Sequence, residues 1–102
     1  MPLCITPSVD GATISLRVAG DIDLATEPAL SEAIQKAVAA EDVDAIVVDL
    51  AGIAFMDCHG LSALIRGRRL ASEAGRSFRV TNAAGIARTV LDMTGVSGYL
   101  GE

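Results

Sequence analysis

This chain of 102 residues has no tryptophan, a single histidine and two cysteines, and its aromatic residues are two phenylalanines and one tyrosine. Two cysteines cannot form a disulfide framework. Together with the histidine they supply three Cys or His side chains, whereas a structural zinc site usually takes four. Three aromatic residues also give no platform for stacking nucleotide bases. We therefore expect no metal site and no single-stranded nucleic-acid surface.

Positive charge is also scarce. Eight Lys and Arg residues stand against thirteen Asp and Glu, which gives a formal net charge of −5. Binding to nucleic acid needs a basic surface, and the one basic cluster, Arg66, Arg68 and Arg69, is interpreted as a solvated helix face. No glycine-rich phosphate-binding motif is present. The composition favours a binding or switching module over an enzyme, with no cofactor and no nucleic-acid partner.

Long hydrophobic runs are missing as well. The longest strongly apolar run, Ala45–Val48, is far too short to span a bilayer. The first residues, MPLCITPSVDG, lack the pattern of a signal peptide. A hydrophobic content of 51% and a mean hydropathy of +0.47 indicate a folded chain. We expect one cytoplasmic domain over residues 1–102, a monomer or weak dimer without direct membrane insertion.

Alternating apolar residues predict a β-hairpin at the start of the chain. Pro7 lacks an N–H to donate, so the first strand is expected at the edge of a sheet. Asp10-Gly11 is a typical hairpin turn. The second strand is expected to end at Gly20.

Helical spacing follows, and then a strand. Thr26 is the predicted N-cap of a first helix. Its apolar stripe consists of Leu30, Ile34, Ala37 and Val38. The run at 45–48 shows no alternation, which is typical of a central strand covered on both faces.

The second half of the chain repeats the strand and helix pattern. Asp57 is the predicted N-cap of a second helix that Gly75 ends, Phe78 and Val80 mark a fourth strand, and Asn82 caps a last helix. The order ββαβαβα predicts an α/β fold, in which an N-terminal hairpin and parallel strands form a mixed sheet with helices mainly on one face. The loops GDID and FMDCHG follow the second and third strands, where functional loops gather in such sheets.

Three segments occur in order: VAGDIDLAT, IVVDLAGIAFMDCHGLSAL and NAAGIARTVLDMTGV. Together they resemble the STAS domain family (sulphate transporter and anti-sigma-factor antagonist), and above all its free-standing bacterial anti-sigma-factor antagonists. The resemblance covers about Leu3 to Leu100. It implies a non-enzymatic regulator of transcription. Such a regulator binds an anti-sigma factor, typically a serine kinase of the histidine-kinase-like ATPase fold, and so releases a sigma factor.

The resemblance also implies the position of the site. In the family, the kinase phosphorylates the residue after the aspartate of an Asp-Ser/Thr-Ser/Thr-Gly pattern. Residues 57–60 have the letters DCHG, so Cys58 stands at the phosphoacceptor position and both hydroxyls are missing. The acidic loop that faces this site in the family corresponds to Asp21 and Asp23. We predict a partner-binding surface, without catalytic residues, that consists of Asp21, Asp23, Thr26, Met56, Asp57, Cys58, His59, Gly60 and Ser62.

Several roles are open for Cys58. As a small, soft substitute for serine it would keep the unphosphorylated shape, and the phosphorylation site would be lost. As a thiol sensor it would gain reactivity from the helix N-terminus and lose it to the neighbouring carboxylates. A Cys58–His59 catalytic pair is disfavoured, because successive helical residues point about 100° apart. We expect His59 to be exposed in the first helical turn.

Two further alternatives concern a different phosphorylation site and a different class of function. Ser62 lies one turn after Cys58, near the same face of the predicted helix, and is a candidate substitute phosphoacceptor. STAS domains also serve as soluble subunits of transporters or of signalling scaffolds, which gives a second class of function.

Overall fold

The structure is a computed structural model that describes residues 3–82. The predicted last helix and the tail lie outside this range. The elements are β1 (Cys4–Asp10), β2 (Thr13–Ile22), α1 (Glu27–Ala39), β3 (Ala45–Met56), α2 (Cys58–Glu73) and β4 (Ser77–Thr81). One sheet has the strand order β1-β2-β3-β4, with β1 antiparallel to β2 and the other pairs parallel. The predicted mixed α/β sheet is confirmed.

The N-terminal hairpin is present, with its turn one residue later than predicted. Asp10 pairs with Thr13, so Gly11 and Ala12 form the two-residue turn. Gly11 has a φ of +60°, the left-handed conformation that a hairpin turn of this length requires at its first central residue. Among the described strands β1 pairs with β2 alone, which confirms the edge position expected from Pro7.

The second strand does not end at Gly20, as the sequence suggested, but continues to Ile22. Gly20 has a φ of +105°, and the pairing with β3 shifts register between Gly20 and Asp21. Glycine tolerates this conformation because it has no Cβ, so the strand passes through the irregularity instead of stopping there. Asp21 therefore lies in the sheet and not in a loop.

Within residues 3–82 the helices cover one face of the third strand, and the predicted cover of its other face is not seen among these residues. Ile46, Val48 and Leu50 are buried, whereas Ala45 and Val47 between them are only half-buried. The physical reason is that α1 and α2 contact each other and pack on the same side of the sheet. The expectation of helices on one face holds for the described helices.

The core lies between the sheet and these two helices. The predicted stripe of α1 is confirmed at Leu30, Ile34 and Ala37, which are at most 5% exposed. The largest fully buried side chains are Val18, Ile22, Leu30, Ile34, Ile46, Val48, Leu50, Met56, Leu64 and Val80. None of the helices within residues 3–82 is long and apolar enough to cross a membrane.

Helix α2 begins and ends as predicted. Asp57 is its N-cap, and Gly75 follows its end with a φ of +76°, the left-handed conformation common after helices. Halfway along, a Cβ on Gly67 would lie 2.8 Å from Ile34 Cγ2 and 3.1 Å from Phe78 Cε2. The two helices and β4 therefore meet closely at a residue without a side chain.

Gly67→Ala is expected to lower the free energy of unfolding by about 1–2 kcal/mol. Overpacking a filled core costs about 1–3 kcal/mol, which exceeds the gain of up to about 1 kcal/mol in helix propensity. Urea denaturation followed by circular dichroism measures the change. Ser72→Ala, at an exposed position of the same helix, is the control and should stay within about 0.5 kcal/mol of wild type. Equal stability of Gly67→Ala and wild type would contradict the close packing.

Candidate partner-binding site

The ends of β2 and β3 bring the two predicted loops together. Asp21 pairs with Phe55, and Ile22 pairs with Met56. One residue further, the backbone N–H of Asp57 donates to the carbonyl of Ile22 at 3.2 Å. The acidic segment Asp21–Asp23 at the end of β2 and the start of α2 therefore lie side by side at the carboxyl edge of the sheet, where such folds place their sites.

Asp57 organises the first turn of α2. Its Oδ1 accepts a hydrogen bond from the backbone N–H of His59 at 2.8 Å. Its carbonyl accepts from the N–H groups of Gly60 at 3.1 Å and Leu61 at 3.3 Å. The bonds from His59 and Gly60 satisfy N–H groups that a helix start otherwise leaves unpaired, and the bond from Leu61 is the first regular bond of the helix. The predicted N-cap is confirmed.

His59 folds back onto Asp57. The ring Nδ1 lies 3.2 Å from Asp57 Oδ1, and the His59 side chain is 44% exposed. Partial burial raises the pKa of the Asp57 carboxyl. The hydrogen bonds from the His59 backbone and ring and the charge of His59 lower this pKa, and together they outweigh the effect of burial. The pKa of Asp57 is therefore below its ordinary value of 3.8, and the group is ionised at neutral pH.

Cys58 is exposed at the first position of α2 and is not in a disulfide. Because the ring of His59 contacts Asp57, the geometry offers Cys58 no general base from its neighbour. Within residues 3–82 no group of three or more His, Cys, Asp or Glu side chains is placed to hold a metal ion. The chemistry at this position is that of an accessible thiol at a helix start.

Two residues predicted to contact a partner are buried instead. Met56, the last residue of β3, is 1% exposed, and Gly60 is buried in the first turn of α2. A Cβ on Gly60 would lie 2.6 Å from Met56 Cγ and 2.7 Å from Ile22 Cγ2. Both residues lie in the contact between α2 and the strand ends and do not form part of the surface.

Local hydrogen bonds of Asp23 and Thr26 hold the acidic segment and the start of α1 together. Asp23 Oδ1 accepts from the N–H groups of Ala25 at 3.0 Å and Thr26 at 3.1 Å. Thr26 Oγ1 accepts from the Asp23 N–H at 3.0 Å and donates to the Asp21 carbonyl at 2.8 Å. Thr26 occupies the N-cap position of α1, but the expected cap by its side chain is absent, because the hydroxyl is engaged in the loop.

Behind the site, a polar contact joins the two helices. The guanidinium of Arg66 contacts the Glu27 carboxylate and lies 3.2 Å from Ser31 Oγ, which donates to Glu27 Oε1 at 2.8 Å. Arg66 remains exposed, as the interpretation of a solvated face requires, and it pairs with Glu27 there. Ser62 is exposed one turn before Arg66, as an accessible phosphoacceptor would need to be.

Two apolar residues beside the site were not predicted from the sequence. Leu24 is 69% exposed in the segment between β2 and α1, and Phe55 is 43% exposed near the end of β3. Alternation could not assign Phe55 to a face, because two register shifts interrupt the pairing of β3 with β2 before it and residues 51–55 are all exposed or half-buried. For Leu24 no sequence signal distinguishes an exposed apolar loop residue from a covered one.

The comparisons with known proteins agree with this architecture. The family model described as "Mlab, STAS domain" matches residues 5–102. A solved anti-sigma factor antagonist from Mycobacterium paratuberculosis is 26% identical, with a TM-score of 0.86 over 96% of this chain and 82% of that chain. This chain belongs to the STAS domain family and resembles anti-sigma-factor antagonists.

Two structures of the antagonist SpoIIAA show the same fold at lower identity. The unphosphorylated form is 21% identical, with a TM-score of 0.76 over 94% of this chain and 84% of that chain. The phosphorylated form, a Bacillus cell fate determinant, is 22% identical, with a TM-score of 0.70 over 95% and 87% of the two chains. The predicted STAS-like fold is confirmed.

Asp57→Ala is expected to lower the free energy of unfolding by about 1 kcal/mol at neutral pH, through loss of the helix cap. Because the folded-state pKa of Asp57 is below the unfolded value, the stabilisation by its carboxylate is present above the unfolded pKa. It is lost as the pH falls through the folded pKa. Urea denaturation at a series of pH values measures the difference between variant and wild type, which should shrink in acid.

The control is Asp57→Asn, which keeps a capping oxygen without a titratable group. We expect this variant to retain most of the stability at neutral pH. A difference between Asp57→Ala and wild type that does not change with pH would contradict the role of the ionised carboxylate.

Proposed function

We propose that this domain binds an anti-sigma factor, a serine kinase of the histidine-kinase-like ATPase fold, and thereby releases a sigma factor in the cytoplasm. It acts by binding and not by catalysis, as a monomer or weak dimer. The observation that carries the proposal is the exposed Cys58 at the start of α2, directly beside the acidic segment Asp21–Asp23.

The position of Cys58 suits a regulatory group. The start of a helix attracts a phosphate through the positive end of the helix dipole. A phosphoryl group adds a charge of about −2, which would stand beside Asp57 and the acidic segment and spoil a docking surface by repulsion. Family members with a hydroxyl at this position are switched in this way.

This chain lacks that hydroxyl. Cysteine has nearly the shape of serine, so the unphosphorylated surface is kept, but a thiol is a poor substrate for a serine kinase. We infer that the domain stays competent to bind when the usual inactivating kinase is active. Control then comes by another route, for which the exposed Ser62 offers a hydroxyl one turn further along α2.

Wild type, Cys58→Ser and Cys58→Ala are to be incubated with a purified anti-sigma factor kinase and ATP. We expect Cys58→Ser to take up phosphate on the new serine, whereas wild type and Cys58→Ala take up none within residues 57–60. Intact-mass measurement and peptide mapping provide the readout. Phosphate on the wild-type segment 57–60 would refute the insensitivity. Phosphate on Ser62 would identify the second route, and Ser62→Ala would remove it.

A second candidate is a soluble subunit of a transporter or of a signalling scaffold. It is favoured by the lack of hydroxyls at Cys58 and His59, because a permanently assembled subunit needs no phosphorylation switch. Affinity purification from the native cell, with mass spectrometry, separates the two functions. An ATPase kinase with a sigma factor is expected for an antagonist, and a permease for a transporter subunit.

A thiol sensor is the third possibility, based on the accessible thiol of Cys58. Sensing cysteines react as thiolates, which requires a lowered thiol pKa. Iodoacetamide alkylation rates across a pH series measure this pKa, with Cys4→Ser as the background that isolates Cys58. A value near the free-thiol pKa of about 8.5 would exclude the sensor.

A further inference from the structure

We propose that Leu24 and Phe55 are the apolar anchors of the partner interface, and that the partner presents an apolar pocket bordered by Lys and Arg side chains. The partner meant is the anti-sigma factor kinase, so this inference rests on the proposed function. It adds which side chains provide the contact and which surface the kinase must offer in return.

The first argument is the distribution of exposed hydrophobic side chains. Within residues 3–82 three large ones are strongly exposed: Val9 at 72%, Leu24 at 69% and Phe55 at 43%. Leu24 follows Ile22 by two residues, and Phe55 precedes Asp57 by two. The backbone hydrogen bond between Ile22 and Asp57 joins the two strand ends. Two of the three exposed side chains therefore flank the site.

The second argument is that both anchors are held in place. Phe55 is part of β3 and pairs with Asp21, and the next residue takes the buried position, so its ring stays on the outer face of the strand end. Leu24 lies between Asp23 and Thr26, whose side chains and backbones bond to each other. A preorganised apolar side chain loses little conformational entropy when a partner covers it.

The third argument is the charge around the anchors. Carboxylates of Asp21, Asp23 and Asp57 lie along the same edge. On α2, Arg66 is engaged by Glu27, and Arg68 and Arg69 lie further along the helix from its start. Interfaces match opposite potentials and centre on buried apolar anchors within a polar rim. A surface of this kind fits an apolar pocket with a basic rim.

The test is calorimetric titration of each purified anti-sigma factor kinase of the source organism with wild type, Leu24→Ala, Phe55→Ala and Val9→Ala. Each anchor variant should bind at least about tenfold more weakly, because truncating such a side chain removes a central contact. Val9→Ala is the matched control. Val9 pairs with Ile14, eight residues from Ile22 along β2, or about 26 Å. Its binding should equal that of wild type.

Repeating the titrations at low and high KCl concentrations separates charge from apolar contact. Wild-type affinity should fall with salt, because the salt screens the carboxylates from the basic rim. The fold-loss caused by Leu24→Ala should stay constant. An affinity that does not respond to salt would overturn the basic rim, and an anchor effect that disappears at high salt would overturn the apolar contact.

The remaining outcomes distinguish this inference from the function it rests on. If wild type binds a kinase and the anchor variants bind equally well, or if Val9→Ala loses as much, the anchors are wrong and the function stands. If no kinase binds wild type, the function is wrong and the anchors fall with it. Thermal denaturation of each variant checks folding. If Phe55→Ala unfolds, the binding of Leu24→Ala tests the apolar contact instead, because Leu24 lies outside the sheet.

Discussion

The parallel pairing of β2 with β3 carries the whole site, because it brings together two segments that are distant in the sequence. The pairing passes through two register shifts, one before Ala19 and one after Gly20, and still reaches Ile22 and Met56. Small residues permit this: a Cβ on Gly52 would lie 2.8 Å from Ala19 Cβ. The irregular stretch sets how the last residues of both strands meet. Without that meeting, the acidic segment and the start of α2 would be unrelated surfaces.

Two aspartates start the two helices at this edge, and each has a structural and an electrostatic role. Asp23 accepts backbone N–H groups ahead of α1, and Asp57 does so in the first turn of α2. Their negative charges interact favourably with the positive N-terminal ends of both helix dipoles, and they also make this edge acidic. The acidity of the surface therefore follows from how the helices begin. Substitution by asparagine separates the two roles, whereas substitution by alanine removes both.

Local signals predicted the parts of the fold that local chemistry determines. The alternation of β2 and the cap at Asp57 could be inferred from neighbouring residues alone. Two predictions failed for different reasons: the hydroxyl of Thr26 bonds to Asp21 and Asp23 just before it instead of capping α1, and Met56 was assigned to the surface although tertiary packing buries it. Leu24 could not be predicted as a site residue, because it has no reactive or charged group that marks it in the sequence. Whether an apolar loop residue is covered depends on tertiary packing.

Close contacts of its backbone fix the position of helix α2, at Gly60 with the strand ends and at Gly67 with α1 and β4. The exposed side chain of Cys58 takes no part in that placement. Evolution can therefore exchange the residue at this position, between hydroxyl and thiol, without shifting the surface around it. Under the proposed function, the single substitution Cys58→Ser would therefore introduce a phosphoacceptor without changing the shape that the partner meets.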